Sequence, residues 1–142
     1  MASKHIAYLE MKMKRISNLP IAFEYYSAIH LTKVYKKPFH VYKDVTPLKK
    51  VYHGFPIEDK GVDVIDEDFQ HIGQVKYYLS QYKIHYGTLA TFLATPILVN
   101  KKLQLTLLRT NRSLIHSDVQ QIIARGHLQD IRLCGEEFLE SR

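Results

Sequence analysis

One segment in the middle of the chain constrains the fold most, because it contains two extended apolar runs on either side of an acidic stretch. Val62 to Ile65 is a short β-branched run, and Phe69 to Tyr78 follows it as a second extended segment. The residues between them, Asp66, Glu67 and Asp68, are typical of a turn. The pattern predicts a β-hairpin at the centre of the chain.

The length and composition fit one globular domain. The chain has 142 residues, of which 46% are hydrophobic and 24% charged, so neither disorder nor a coiled coil is indicated. We expect a single domain over residues 1–142, with its core at 20–134 and a basic N-terminal extension at 1–17. The single cysteine, Cys134, excludes an internal disulfide and favours a reducing, intracellular compartment. Neither a signal peptide nor a membrane span is predicted, so no membrane partner is expected.

Positive charge is concentrated in the first half of the chain. The net charge is +6, and residues 1–60 contain eleven lysines and arginines against five acidic residues. Such a bias favours a polyanionic partner such as nucleic acid. A solvated basic surface explains the charge equally well, so both interpretations stay open on charge alone.

Further helices and strands are predicted on both sides of the hairpin. A helix at Ile21–Tyr35, capped by Asn18 and Pro20, and a strand at Phe39–Val45 precede it. The segments predicted after it are a helix at Gly87–Ala94, a strand at Leu103–Thr110 buried on both faces, a helix from Ser117 to Arg125 opened by a Ser117–Gln120 capping box, and a strand at Ile131–Cys134. This order predicts an α/β fold with a mixed central sheet flanked by helices.

Three polar residues of the predicted hairpin are candidates for catalysis. Asp63 lies in an apolar strand, where an ionised carboxylate is costly unless a cation or hydrogen bonds compensate it. Gln74 and Lys76 are two residues apart, so a strand projects both from the same face. If the strands pair, one face presents a carboxylate, an amide and an ammonium group, which is the set that Mg²⁺-dependent phosphodiester hydrolysis requires.

These residues carry a resemblance to a known family. Gly61 to Ile65 (GVDVI), followed by Gln74-Val75-Lys76 and an aromatic residue, resembles the signature of Mrr-type restriction endonuclease domains in the PD-(D/E)xK nuclease superfamily. Thr88 to Ala94 also looks like a segment of the nuclease-like domains fused to some viral and plasmid helicases. The similarity covers roughly residues 20–134. It implies a restriction-endonuclease-like αβββαβ core, in which Phe23-Glu24 matches the helical Phe-Glu pair that supplies an extra acid.

The resemblance implies a Mg²⁺-dependent endonuclease that hydrolyses DNA. Its catalytic residues would be Asp63, Gln74, Lys76 and Glu24, and its metal ligands Asp63, Glu24, Gln74 and the main-chain carbonyl of Val75, with Mn²⁺ able to substitute. The substrate would be double-stranded or branched DNA. A homodimer or a fusion to a helicase motor would fit the family. The protein would act inside the cell, in the cytoplasm or in the nucleus or viral factory of a host cell.

Gln74 stands where the superfamily more often has a glutamate. A neutral amide binds Mg²⁺ less strongly than a carboxylate. The alternative function is therefore a catalytically silent DNA-binding module of the same fold, and a third is a basic protein-interaction domain.

Each candidate residue also has a structural interpretation. Asp63 could be a structural acid bonded to the backbone or paired with Lys60 or Lys76, and Lys76 could extend along the surface to solvent. Glu24 could face solvent. The residues expected to contact nucleic acid are Lys60, Lys83, Tyr78, Tyr82 and Thr88, although the tyrosines could instead pack in the core or at its rim.

The eight histidines are dispersed along the sequence. None forms a pair at the i, i+4 helical spacing or the close strand spacing of zinc ligands, so no histidine zinc site is predicted.

Overall fold

The structure is a computed structural model that describes residues 2–142. Its helices are α1 (Ala2–Arg15), α2 (Leu19–Tyr35), α3 (Pro47–Tyr52), α4 (Tyr86–Leu93), α5 (Thr95–Leu98), α6 (Ser117–Ala124) and α7 (Gly135–Glu140). Its strands are β1 (Phe39–Val41), β2 (Val64–Asp66), β3 (His71–Lys76), β4 (Lys83–Ile84), β5 (Gln104–Thr110), β6 (Leu114–Ile115) and β7 (Gln129–Leu133).

Five of the strands form one mixed sheet in the order β1-β2-β3-β5-β7. The first three strands pair antiparallel, whereas β5 runs parallel to both β3 and β7. The parallel strands need crossover connections, which α4 and α6 provide. The expected mixed sheet with flanking helices is thus confirmed.

The sheet separates two hydrophobic clusters. One face packs against α1, α2 and α7, through residues such as Leu9, Phe23 and Phe138. The other face packs against α4 and α6, through residues such as Phe92 and Val119. Strand β5 contributes to both clusters, which confirms that it is buried on both faces.

The buried core extends beyond residues 20–134. The basic N-terminal segment forms α1, whose Leu9 and Met13 are only 1% and 2% exposed and belong to the first cluster. At the other end Phe138 of α7 is fully buried in the same cluster. Helix α1 carries Lys4, Lys12, Lys14 and Arg15 together with an apolar stripe that packs against α2.

Several predicted boundaries agree with the structure. Helix α2 begins with the Asn18 side chain accepting the Ile21 N–H at 3.0 Å, and Pro20 lies in its first turn. The turn between β2 and β3 is built by Asp66, whose carboxylate accepts the N–H groups of Gln70 at 2.7 Å and His71 at 2.9 Å. The acidic stretch therefore turns the chain, and the predicted hairpin is confirmed.

Other boundaries differ from the prediction. Strand β1 ends at Val41, because the chain continues as a 3₁₀ turn at Tyr42–Asp44. Helix α6 is capped by His116 rather than by Ser117, because the His116 ring accepts the Asp118 N–H at 3.2 Å. Thr95 and Pro96 end α4 but open the short helix α5. Strands β4 and β6 form a separate two-stranded parallel sheet that was not predicted.

Among residues 2–142, no helix combines the length and apolar character that a membrane crossing requires.

Candidate active site

An irregularity in the β2–β3 pairing positions Asp63. In the ladder Val64 is the partner of Gly73, yet the N–H of Asp63 also donates to the Gly73 carbonyl at 2.9 Å. Two consecutive residues therefore oppose one, which is the arrangement of a β-bulge. On its other side Asp63 keeps the regular register, because its carbonyl accepts the Tyr42 N–H at 2.8 Å. A bulge re-aims a side chain, and here it breaks the simple alternation that the sequence suggested.

The Asp63 carboxylate points at the main chain of β3. Its Oδ2 accepts the N–H of Val75 at 2.8 Å, beyond the last β2–β3 register pair. The N–H and the C=O of one strand residue point toward the same neighbouring strand. The Val75 carbonyl is therefore directed to the edge at which Asp63 lies, as the implied ligand set requires. The bond to Val75 also agrees with the structural interpretation of Asp63 as a backbone-bonded acid.

Glu24 approaches this edge from α2. The pKa of Glu24 is raised to about 8, chiefly by burial and then by the negative charge of Asp63, while Lys43 opposes the shift. Burial likewise raises the pKa of Asp63 to about 6, against the hydrogen bond from Val75. The two carboxylates come from different elements, and the charge of Asp63 disfavours ionisation of Glu24. Such a pair needs a proton or a cation to be stable.

Lys76 acts on Asp63 through its charge, although strand alternation places its side chain on the same face of β3 as Gln74. Its positive charge lowers the pKa of Asp63, as does that of Lys43, whereas Asp59 acts in the opposite direction. The structure therefore brings Glu24, Asp63 and Lys76 into one electrostatic neighbourhood. Lys43 and Asp59 join them, although their positions in the sequence gave no signal for it.

Gln74 is placed differently from the two carboxylates. It shares its face of β3 with Ile72, which packs in the second cluster, while Glu24 comes from the helix on the first-cluster side. The Gln74 side chain is 7% exposed, and its Oε1 is buried without a hydrogen-bond partner among the described residues. Glu24 Oε1 is buried in the same state. A carbonyl and a carboxylate oxygen without donors are ligands of the kind that a hard divalent cation takes.

Mg²⁺ fits the chemistry of this donor set. The available groups are two carboxylates and a main-chain carbonyl, all of them oxygen ligands, and neither cysteine nor histidine is among them. Glu24 Oε1, which has no hydrogen-bond donor among the described residues, would gain a partner from a cation. Glu24, Asp63 and the Val75 carbonyl are the residues that would hold it, whereas the Gln74 amide lies on the other face of β3.

The residues expected to contact nucleic acid occupy three separate places. Lys60 lies in an exposed turn, 3.9 Å from the carboxylate of Glu58. Tyr78 and Tyr82 stack on each other with ring centroids 4.3 Å apart, and Lys83 is exposed at the start of β4. The Thr88 hydroxyl donates to the His85 carbonyl at 2.8 Å, so it serves the first turn of α4.

A second cluster of polar side chains lies where β4 and β6 end. Ligand atoms of His85, His116 and Asp118 lie within 4.8 Å of one another. Sequence spacing could not predict this, because His85 and His116 meet only through the parallel pairing of Ile84 with Ile115.

Comparison of the chain with models of protein families, with curated proteins and with solved structures finds no match. Its function must therefore be argued from the residues and geometry of its own sites.

Proposed function

We propose that this protein is a Mg²⁺-dependent endonuclease that hydrolyses DNA phosphodiester bonds, with a restriction-endonuclease-like αβββαβ core. The observation that carries the proposal is the pair of buried carboxylates, Glu24 and Asp63. Burial raises the pKa of both, the charge of Asp63 adds to the rise at Glu24, and the charge of Lys76 opposes the rise at Asp63. A helix acid, a hairpin acid and a strand lysine from three elements are the combination that the resemblance implies.

Each residue has a chemical role in this proposal. Asp63, Glu24 and the Val75 carbonyl would hold the cation, which when bound polarises a phosphoryl oxygen and acidifies water. Lys76 orients the attacking water and offsets the charge that accumulates on the phosphate in the transition state. The water oxygen forms a new bond to phosphorus as the bond to the leaving oxygen breaks, and the leaving oxygen takes up a proton.

The placement of Gln74 supports a second candidate function, a DNA-binding module that does not cut. Its amide is neutral, and its side chain lies on the face of β3 opposite to the helix that carries Glu24. A site with one charge fewer binds Mg²⁺ more weakly. The two candidates differ in whether Mg²⁺ binds at Asp63 and whether DNA is cleaved.

The decisive measurement is cleavage of plasmid and branched DNA in Mg²⁺ and in Mn²⁺ by the wild-type chain and by Lys76→Ala. We expect the variant to lose about 100-fold or more of the cleavage rate, since a positioned acid–base group contributes that much. Lys33→Ala is the matched control, because Lys33 is an exposed lysine of α2. Both variants should keep the wild-type circular dichroism spectrum.

Three outcomes would contradict the proposal. Undiminished cleavage by Lys76→Ala would remove Lys76 from the mechanism. Salt-dependent DNA binding without cleavage, together with no Asp63-dependent heat of Mg²⁺ binding in calorimetry, would instead establish the silent module. Absence of any salt-dependent affinity for DNA would favour a protein-interaction domain.

A further inference from the structure

We propose that His85, His116 and Asp118 form a binding site for a borderline transition-metal ion such as Zn²⁺, separate from the carboxylate pair at Asp63. The site lies where the two-stranded sheet ends and the helices α4 and α6 begin. It does not depend on the proposed nuclease function.

Strand pairing brings the two histidines together. Strands β4 and β6 run parallel and end at the register pair Ile84–Ile115, so His85 and His116 follow side by side. Their ring centroids are 4.7 Å apart. Each histidine is also the residue that precedes a helix, so its main chain is fixed on both sides. The main chain that carries the two imidazoles is therefore held by secondary structure and not by a loop.

The spacing of the ligand atoms already approaches that of a metal site. His116 Nδ1 lies 3.1 Å from Asp118 Oδ1, and the three side chains offer ligand atoms within 4.8 Å of one another. Ligands at 2.0–2.1 Å from a tetrahedral ion are about 3.3 Å apart. The pair of His116 and Asp118 therefore already has the separation of one tetrahedral edge. The other ligand atoms are at most 4.8 Å apart, so side-chain shifts of about 1.5 Å or less would bring them to the same separation.

Hydrogen bonding leaves one carboxylate oxygen of Asp118 available. Its Oδ2 accepts the Tyr86 N–H at 3.3 Å, whereas Oδ1 is buried and makes no well-aligned hydrogen bond among residues 2–142; the His116 ring and the Val119 N–H only approach the carboxylate. His116 Nδ1 accepts the N–H of Asp118, so in the neutral imidazole it carries no proton for Oδ1. Two lone pairs therefore face each other at 3.1 Å, and only a cation or an added proton makes that contact favourable.

The chemistry of the ligands selects the ion. Two imidazoles with one carboxylate suit Zn²⁺, Co²⁺ or Ni²⁺, whereas Mg²⁺ prefers oxygen ligands alone. The positive ends of α4 and α6 would oppose a cation, but the Asp118 carboxylate lies in the first turn of α6 and accepts from the first turn of α4. His85 is exposed, so a fourth position faces solvent and would hold water.

The test is titration of the metal-free chain with Co²⁺ and then Zn²⁺, followed by visible absorption and calorimetry. We expect one Co²⁺ per chain with the intense d–d absorption of four-coordination, displaced by Zn²⁺. His85→Asn, His116→Asn and Asp118→Asn should each weaken binding at least tenfold. Asparagine is a good helix N-cap, so His116→Asn removes the imidazole and preserves the cap.

His127→Asn is the matched control, because His127 is an exposed histidine outside the cluster. Asp63→Asn should also bind Zn²⁺ like the wild type. The proposal is overturned if His85→Asn binds Co²⁺ as tightly as His127→Asn, or if Zn²⁺ binding is lost in Asp63→Asn. His85 decides the matter even if His116→Asn fails to fold, because its exposed side chain makes no cap hydrogen bond.

Discussion

Glu24 and Asp63 bring two carboxylates into an environment that favours neither of them as an anion. Burial is the largest cause in both cases; the charge of Asp63 adds to it at Glu24, and that of Asp59 adds to it at Asp63. At neutral pH Glu24 therefore holds a proton in the folded chain unless a cation replaces it. Binding of a divalent ion should release that proton, which couples metal binding to pH.

This proton makes stability depend on pH in a predictable direction. The pKa of Glu24 is raised from 4.5 to about 8, so its contribution to stability is complete below pH 4.5 and is lost as the pH rises to 8. Glu24→Gln has no such loss. We expect the variant to gain on the order of 3 kcal/mol of unfolding free energy relative to wild type between pH 5 and 8.

Denaturant unfolding at several pH values measures the difference. The exposed Glu137→Gln in α7 is the control and should follow the wild type. Addition of Mg²⁺ at pH 8 should stabilise the wild type and leave Glu24→Gln unchanged. A constant difference across this pH range would mean that Glu24 ionises normally.

The hairpin of β2 and β3 positions Asp63 and the Val75 carbonyl of the candidate site. Asp66 fixes its turn and the bulge at Asp63 and Val64 fixes its far end, so the two strands keep their register over a short length. Gly73 lies opposite the bulge, where the chain passes closest to its neighbours. An added Cβ there would lie 2.6 Å from Val64 Cγ2 and 2.9 Å from Leu108 Cδ1.

Gly73→Ala tests this packing. We expect a loss of about 1–3 kcal/mol of unfolding free energy, because the core must shift to admit a methyl group. Since the shift falls on the bulge, cleavage or Mg²⁺ binding should weaken as well.

Gly87→Ala in α4 is the matched control. Its added Cβ meets nothing within 4 Å, and alanine should stabilise the helix by up to about 1 kcal/mol. Equal unfolding free energies for Gly73→Ala and Gly87→Ala would show that the core admits a methyl group at Gly73 without loss of stability.

At the scale of the whole molecule, the first helix completes one of the two cores. Helix α1 covers α2 with Leu9 and Met13, and Arg142 near the other end of the chain donates to the Met13 carbonyl at 3.3 Å. Helix α2 in turn carries Glu24. The packing of α1 therefore supports the helix that presents the acid to the hairpin.

Leu9→Ala should destabilise the protein by about 2–4 kcal/mol, because it opens a cavity in the first cluster. Leu48→Ala, at an 81% exposed position of α3, should change the unfolding free energy by less than about 0.5 kcal/mol. Thermal or denaturant unfolding checks both. A loss for Leu9→Ala as small as that for Leu48→Ala would mean that α1 does not belong to the core.

Local sequence patterns determined the elements, and long-range pairing decided how the sites are built. The β-branched runs, the acidic turn, the Asn18 cap and the apolar run of β5 predict the hairpin, α2 and the buried strand, because each depends on neighbours within a few residues. The Ser117 cap was misplaced by one residue because His116 offers a ring nitrogen that the prediction did not consider.

Nothing local indicated that two residues would oppose Gly73, that α1 would bury Leu9, or that His85 and His116 would meet. Strand register and helix packing join segments tens of residues apart, and their free energy depends on partners that no short window contains. The candidate residues of the hairpin could thus be named from the chain. The direction of the Asp63 carboxylate, the opposite face taken by Gln74, and the second cluster at His85 follow from the tertiary structure alone.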